Sequence, residues 1–392
     1  MNFFRLFNPS IIVSSVLAMT IHSLRRPLHH LLLRAIIAGV VLLTSSYCCC
    51  CHGLILQSSF KLPQIRLPWD NNDNAAQKES SSHSLRPKDK ILIFGGTGGV
   101  GQLVARKLLC RRSSSSDGYT VRVAARDPSR AYELLRPAAT VEDEDIDTTT
   151  NIIDNANTDG KLEVVQVDLV GKTATTDDEL RSIMLGVSAI VITVGTTAFP
   201  TSRWFSSTSE KKYEIINTPA AIDDVAVSRI GQIAASISTI RQIVLVTSIG
   251  TTRTNSMPFT LLNLFGVLDS KRAGENAIIQ SAITTSNNNQ QQQQLSYTII
   301  RPGRLVGGPY TNLDIANLLQ ITGGLSNRVT MTRGDTLLGD CKRTSVAEAV
   351  VRCLELDACA NIDFSIIDNE EEENTSPLTD DEWIESFASM KG

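Results

Sequence analysis

Beyond residue 88 the chain alternates between two rhythms. Short runs of apolar residues rich in Ile, Val and Leu are separated by longer stretches in which apolar positions recur at helical spacing. Strands buried on both faces of a parallel sheet read as such continuous runs. The pattern predicts strands at Lys90–Phe94, Thr120–Ala125, Leu162–Val167, Ala189–Val194, Gln242–Thr247 and Ser296–Ile300, and a last strand region at Asp363–Ile367. Helical stretches between them, the first over Gln102–Cys110, give the order of a doubly wound α/β fold on a parallel sheet. Thr379 and Glu382 make a capping box for a closing helix around Trp383–Ala388.

Three biased tracts fall between these elements: Ser113–Ser116, the acidic Thr140–Gly160 and the Asn/Gln run Asn287–Gln294. Loops tolerate such insertions because doubling a loop costs only about 0.6 kcal/mol. The Asn/Gln run reads as a surface loop, with an interaction tract as the alternative.

The first predicted strand runs straight into glycines. Ile91–Gly101 reads Ile-Leu-Ile-Phe-Gly-Gly-Thr-Gly-Gly-Val-Gly, with Gly95, Gly98 and Gly101 three apart. A turn with so few side chains lets backbone approach a pyrophosphate, and the helix that follows aims N–H groups at it. The strand before and the helix and second strand after are the context that this motif requires. Gly95, Thr97, Gly98, Gly99, Val100 and Gly101 are therefore candidate dinucleotide-binding residues.

Later strand ends refine that picture. An acidic residue ending the second strand accepts the ribose 2′-hydroxyl, whereas a cation accommodates a 2′-phosphate. Here that strand ends in Arg126-Asp127, and a permanently charged guanidinium points to NADP(H) over NAD(H). The alternative is a surface arginine, with Asp127 on the ribose. Asp168 and Leu169 end the third strand, where they could meet the adenine, or else act as a loop or cap. Gly195 ends the fourth, leaving room for the adenosine ribose at the switch point of the sheet, or simply making a turn.

Charge divides the chain. Residues 1–69 hold six Lys or Arg and no Asp or Glu, leaving 31 of the 37 basic residues against all 41 acidic ones in the remainder. An acidic body argues against nucleic acid as a partner. The basic segment reads as a targeting leader. Its apolar stretches, Ile11–Ile21 and Ala35–Leu43, are shorter than the roughly 18 residues expected of a membrane span. The mature protein is therefore expected to keep no stable transmembrane span. A bipartite leader (signal, then plastid transit peptide) is the preferred reading, with mitochondrial import or an uncleaved anchor as alternatives. Residues 70–87 read as a disordered linker.

Cysteine and histidine exclude more. Four of eight Cys are consecutive, Cys48–Cys51, which cannot easily wrap one metal, and no metal site is expected. All five His precede the glycine turn, so the body has no Ser-His-Asp triad and no histidine-ligated metal.

Taken in order, several motifs resemble the atypical short-chain dehydrogenase/reductases. They are the glycine turn, Ala125-Arg126-Asp127-Pro128, Val167-Asp168-Leu169, Asn217-Thr218-Pro219, Val246–Gly250, Lys271–Glu275 and Tyr297–Gly303. Gly307–Tyr310 and Thr344–Glu348 add a similarity to the NmrA-like plastid branch that includes Tic62-type proteins. The resemblance spans roughly Lys88–Leu356, and the chain reads as a Rossmann domain over 88–303, completed by a small C-terminal substrate lobe over 304–392. The resemblance further implies that Ser248 hydrogen-bonds a substrate carbonyl. Lys271 would hold the nicotinamide ribose and lower the pKa of a catalytic tyrosine. Pro302 and Gly303 would lie beside the nicotinamide carboxamide. The tyrosine expected four residues before Lys271 is instead Val267, which cannot protonate an alkoxide. Tyr213 and Tyr310 lack that spacing. Two readings follow: an NADP(H)-dependent reductase of a small carbonyl or enone in the plastid, or a non-catalytic NADP(H)-binding protein that senses redox state or assists assembly with a protein partner.

Overall fold

In the computed structural model β1 (Lys90–Phe94), β2 (Thr120–Ala125), β3 (Lys161–Gln166), β4 (Ala189–Ile192), β5 (Gln242–Val246) and β6 (Ser296–Pro302) lie side by side. All six are parallel, in the order β3-β2-β1-β4-β5-β6. Four shorter or later strands follow: β7 (Arg304–Val306), β8 (Val329–Arg333), β9 (Asp340–Lys342) and β10 (Ile362–Asp368). β10 extends the sheet parallel to β6, β8 closes it antiparallel to β10, and β7 pairs with β9 separately. The structure describes residues 83–86, 88–110, 118–135, 161–171, 174–201, 204–205, 215–288, 294–308, 328–369 and 378–391. The expected leader, the linker up to residue 82, Cys48–Cys51, Ser113–Ser116, Thr140–Gly160, Tyr213 and Tyr310 lie outside them.

The helices are α1 (Gly99–Cys110), α2 (Pro128–Leu135), α3 (Asp177–Met184), α4 (Val227–Ala235), α5 (Phe259–Leu262), α6 (Val267–Asn288), α7 (Arg343–Glu355) and α8 (Asp380–Ser389). A π-helical turn, Ala220–Ala226, leads into α4. Because successive strand side chains point to opposite faces, each strand serves two cores. Ile91, Ile93, Val121 and Val244 pack with α1 and α7 through Val104, Leu108 and Val350. Leu92, Phe94, Ile190 and Leu245 pack with α3, α4 and α6 through Leu180, Ile230 and Ile278. The parallel Rossmann-type sheet read from the sequence is thus observed, with helices on both sides.

Boundaries differ where neighbours intervene. β4 stops at Ile192 rather than Val194, because its partner β1 turns away at Gly95. β6 runs on to Pro302 rather than Ile300, because β10 pairs alongside it as far as Ile366↔Pro302. β3 is Lys161–Gln166, one residue earlier than expected, and α1 begins inside the glycine turn. The capping box of Thr379 and Glu382 is present at the start of α8. Residues 83–86 are held down: His83 and Ser84 donate backbone N–H bonds to Asp357 Oδ1 at 2.7 and 2.8 Å, and Leu85 donates to the Leu354 carbonyl at 2.9 Å.

A buried ionic knot fixes α6 to the sheet. The Arg301 guanidinium donates twice to the Glu275 carboxylate, both at 2.9 Å, with both side chains fully buried. Thr247 Oγ1 and Arg272 also donate to Glu275, at 2.6 and 3.0 Å, and Arg301 pairs in addition with Asp363. Removing one partner of such a pair leaves an uncompensated buried charge, which costs about 3–5 kcal/mol. Arg301→Met is expected to lose stability in that range by urea denaturation at pH 7, with unchanged stability the contrary result.

Candidate functional site

Parallel strands bring their carboxyl ends to one edge, and there the sheet assembles most of the candidate residues. The glycine turn follows β1, Arg126 follows β2, Asp168 follows β3, Gly195 follows β4, Ser248 follows β5 and Pro302 ends β6. The crevice between β1 and β4 is the topological switch point, where open α/β sheets bind ligands.

The turn is built around missing side chains. Gly95 has φ +85°, and a Cβ there would lie 2.8 Å from the Thr193 carbonyl carbon. A Cβ on Gly101 would meet the Gly95 carbonyl oxygen at 2.2 Å. The Gly98 N–H donates to that same oxygen at 2.9 Å, which closes the turn. Thr97 and Gly99 are half-buried on the loop, and Val100 is packed inward with α1. Since α1 starts at Gly99, its first-turn N–H groups, which lack intrahelical partners, cap the loop. Bare backbone beside a helix N-terminus fits a dinucleotide pyrophosphate.

Around it, Arg126 is exposed, while Asp127 Oδ1 accepts the backbone N–H of Arg130 at 3.1 Å and so caps α2. The Asp168 N–H donates to Thr175 Oγ1 at 3.0 Å, and its carbonyl accepts from Thr175 N at 2.8 Å. Leu169 packs against the α3-side core. The Ser248 hydroxyl donates to the Ile249 carbonyl at 3.0 Å, and the Ile249 N–H donates to the Pro302 carbonyl at 3.0 Å. Lys271, on α6, reaches back to the end of β4: a Cβ on Gly195 would lie 2.9 Å from its Nζ.

Several residues at this edge are not evident from sequence. Asp223, in the π-helical turn, accepts from Lys271 Nζ at 2.5 Å and from the Thr196 N–H at 3.1 Å, as well as from the Thr196 hydroxyl. Arg130 places a second exposed guanidinium in the first turn of α2. Asp335, beyond β8, accepts backbone N–H bonds from Gly250 at 2.8 Å and Thr252 at 2.9 Å and pairs with Arg253 at 2.8 Å. It thereby fixes the loop that follows Ser248. Arg130 and Asp223 sit near motifs already noted, Ala125–Pro128 and Asn217-Thr218-Pro219; Asp335 lies 85 residues from Gly250.

Where the resemblance expects a tyrosine, Val267 is only 3% exposed. It packs with Ile249, Phe259 and Leu268, against Ala198 and Leu262. Phe265 meets Phe199 and Trp204 edge-on, at 6.1 and 6.2 Å between ring centroids. Burial pushes the Cys341 and Cys353 thiols well above their usual range, so neither is poised as a thiolate. Among the described residues no cluster of three or more His, Cys, Asp or Glu could hold a metal, and no helix is long and apolar enough to cross a membrane.

A family model described as NAD(P)H-binding matches residues 95–357, from the glycine turn to the end of α7 and beyond. The chain belongs to this NAD(P)H-binding family. That membership accords with its atypical short-chain dehydrogenase/reductase motifs and makes it a nicotinamide dinucleotide binder. Among curated relatives, the NAD(P)H-binding chain is similar to "Protein TIC 62, chloroplastic" of Arabidopsis thaliana, 29% identical over 77% of this chain and 39% of that protein. It is also similar to the protein of the same name from Oryza sativa, 30% identical over 62% of this chain and 45% of that one. The chain thus spans less than half the length of these relatives. A solved structure titled as a putative NAD-dependent epimerase/dehydratase from Bacillus halodurans aligns with TM-score 0.45 at 16% identity, over 72% of this chain and 94% of that one.

The Asp335 clamp carries a pH signature. Burial alone would raise this carboxyl, but the N–H groups of Gly250 and Thr252 and the Arg253 guanidinium hold it below the usual carboxylate value. A depressed folded pKa contributes stability above the unfolded pKa of about 3.9, lost as pH falls through the folded value. Asp335→Asn is therefore expected to lower stability by about 2 kcal/mol at pH 7. The gap between variant and wild type should narrow as pH falls below about 3.9 and close once pH is below the lower folded value. A gap that persists there contradicts the assignment.

Proposed function

We propose that the chain is a plastid NADP(H)-binding protein whose site reports or stabilises a nucleotide-bound state, in preference to proton-coupled carbonyl reduction. The observation that carries this reading is Val267, sealed in an apolar cluster where a phenol would have to stand. An alkoxide formed at that edge would find no proton donor from this position. The Ser248 hydroxyl, engaged with its neighbour's carbonyl, supports the same reading. Purified protein with NADPH and a panel of small aldehydes, ketones and enones should show no consumption above background.

The second reading, a reductase of a small carbonyl or enone, draws support from Ser248 and Pro302 at adjoining strand ends. Bound NADPH would supply hydride, Ser248 would have to turn toward the carbonyl, and the proton would come from water. NADPH consumption that Lys271→Ala abolishes would establish this reading over the first.

The cofactor preference rests on Arg126. One oxygen of Asp127 is committed to capping α2, and Arg130 adds a second exposed guanidinium in that helix's first turn. A charge-assisted hydrogen bond contributes about 2 kcal/mol, so Arg126→Asp should weaken NADPH binding roughly thirtyfold, and NADH only marginally. Equal losses would contradict a 2′-phosphate at this position. The plastid assignment is supported by relatives named chloroplastic and by the acid-free segment 1–69. A fluorescent fusion of the whole chain that accumulates outside plastids would refute it.

A further inference from the structure

Lys271 and Asp223 form an ion pair of 2.5 Å, with side chains 11% and 2% exposed. Their place is set by the fold. The π-helical turn over Ala220–Ala226 turns Asp223 inward, while its neighbour Asp224 receives the Ser228 hydroxyl at 3.3 Å. Such turns are rare and concentrate at functional sites. α6 lies against this turn so closely that a Cβ on Gly274 would meet the Asp223 carbonyl oxygen at 2.2 Å. At the other side, the pair abuts Gly195, whose missing Cβ would stand 2.9 Å from Nζ and 3.3 Å from Asp223 Oδ1. Thr196 fills the second carboxylate oxygen with its N–H and its hydroxyl. Three separate segments, the π-helical turn, α6 and the stretch Gly195-Thr196, thus fix one ammonium at the β1–β4 crevice.

We propose that Asp223 is a positioning residue, which holds the Lys271 ammonium beside Gly195 for the nicotinamide-ribose hydroxyls. This rests on the nucleotide site proposed above. An ammonium has three donors, and Asp223 engages one of them, so the group can be oriented and still meet hydroxyl oxygens. A lysine lowers the pKa of a neighbouring phenol through its positive charge. Here a buried carboxylate answers that charge at 2.5 Å, and the phenol itself is replaced by Val267. The lysine is thus placed for a nucleotide role, and no phenol stands four residues before it for its charge to act on.

The test compares two nucleotides by titration calorimetry: NADP+, and adenosine 2′,5′-bisphosphate, which lacks the nicotinamide ribose. Asp223→Asn preserves shape and removes the charge. The expected result is at least a tenfold loss of NADP+ affinity, with adenosine 2′,5′-bisphosphate within twofold of wild type. A general structural role would weaken both alike, and that outcome, or no loss of either, overturns the proposal. Should Asp223→Asn fail to fold because an unanswered ammonium is left behind, Asp223→Asn with Lys271→Met removes both charges. That double variant should bind NADP+ no more weakly than Lys271→Met alone, and a further loss on adding Asp223→Asn overturns the proposal. Wild-type protein that binds neither nucleotide would remove the cofactor reading itself; wild-type binding with equal losses removes only the role of Asp223.

Discussion

Everything at the carboxyl edge of the sheet depends on one close contact between two stretches of backbone. α1 starts so near to the carbonyl of Gly95 that only hydrogen fits at Gly101. That contact sets the angle at which the helix leaves the turn, and with it the direction of the first-turn N–H groups. It also lets Gly98 close the turn on the same oxygen. The parallel sheet does the rest, since side-by-side strands in the order β3-β2-β1-β4-β5-β6 bring their ends to one edge without any further device.

Around that edge, binding and chemistry are unequally provided for. Ionic and charge-assisted contacts hold the edge in place: Asp335 ties down the loop after Ser248, Asp223 pairs with Lys271, and the Glu275–Arg301 knot anchors the helix that carries the lysine. The side where a substrate would be protonated is apolar, with Val267 among Ile249, Phe259 and Leu268. At the position where the resemblance expects a phenol, Val267 offers no proton to a reacting oxygen.

The sequence made the central sheet legible because buried parallel strands are unbroken apolar runs, as Ile91–Phe94 and Ile243–Val246 illustrate. It was less informative at the margins. β7 and β9 are three residues each, too short to carry a period, and β8 (Val-Thr-Met-Thr-Arg) alternates in a way that fits an exposed edge equally with a loop. For the site, glycine spacing and strand ends indicated where to look, and Val267 stood out by its distance from Lys271. Asp223 could not be found that way, because a π-helical turn shifts which residue faces inward, and helical periodicity assumes 3.6 residues per turn. Asp335 and Glu275 act through contacts made only once distant segments meet.

The central claim is that the glycine turn receives a nicotinamide dinucleotide, and Gly98 gives it the most direct trial. A Cβ there would meet the Gly95 carbonyl oxygen at 3.2 Å, a tight contact that the turn admits only by giving a few tenths of an ångström, far less than Gly95 or Gly101 would demand. Titration of NADPH into wild-type protein and Gly98→Val is the measurement, with the melting temperature of each recorded alongside. The account predicts saturable binding to the wild type, and its loss in a variant that melts within a few degrees of it. Wild-type protein that takes up no NADPH, or a variant that binds it equally well, would contradict the account.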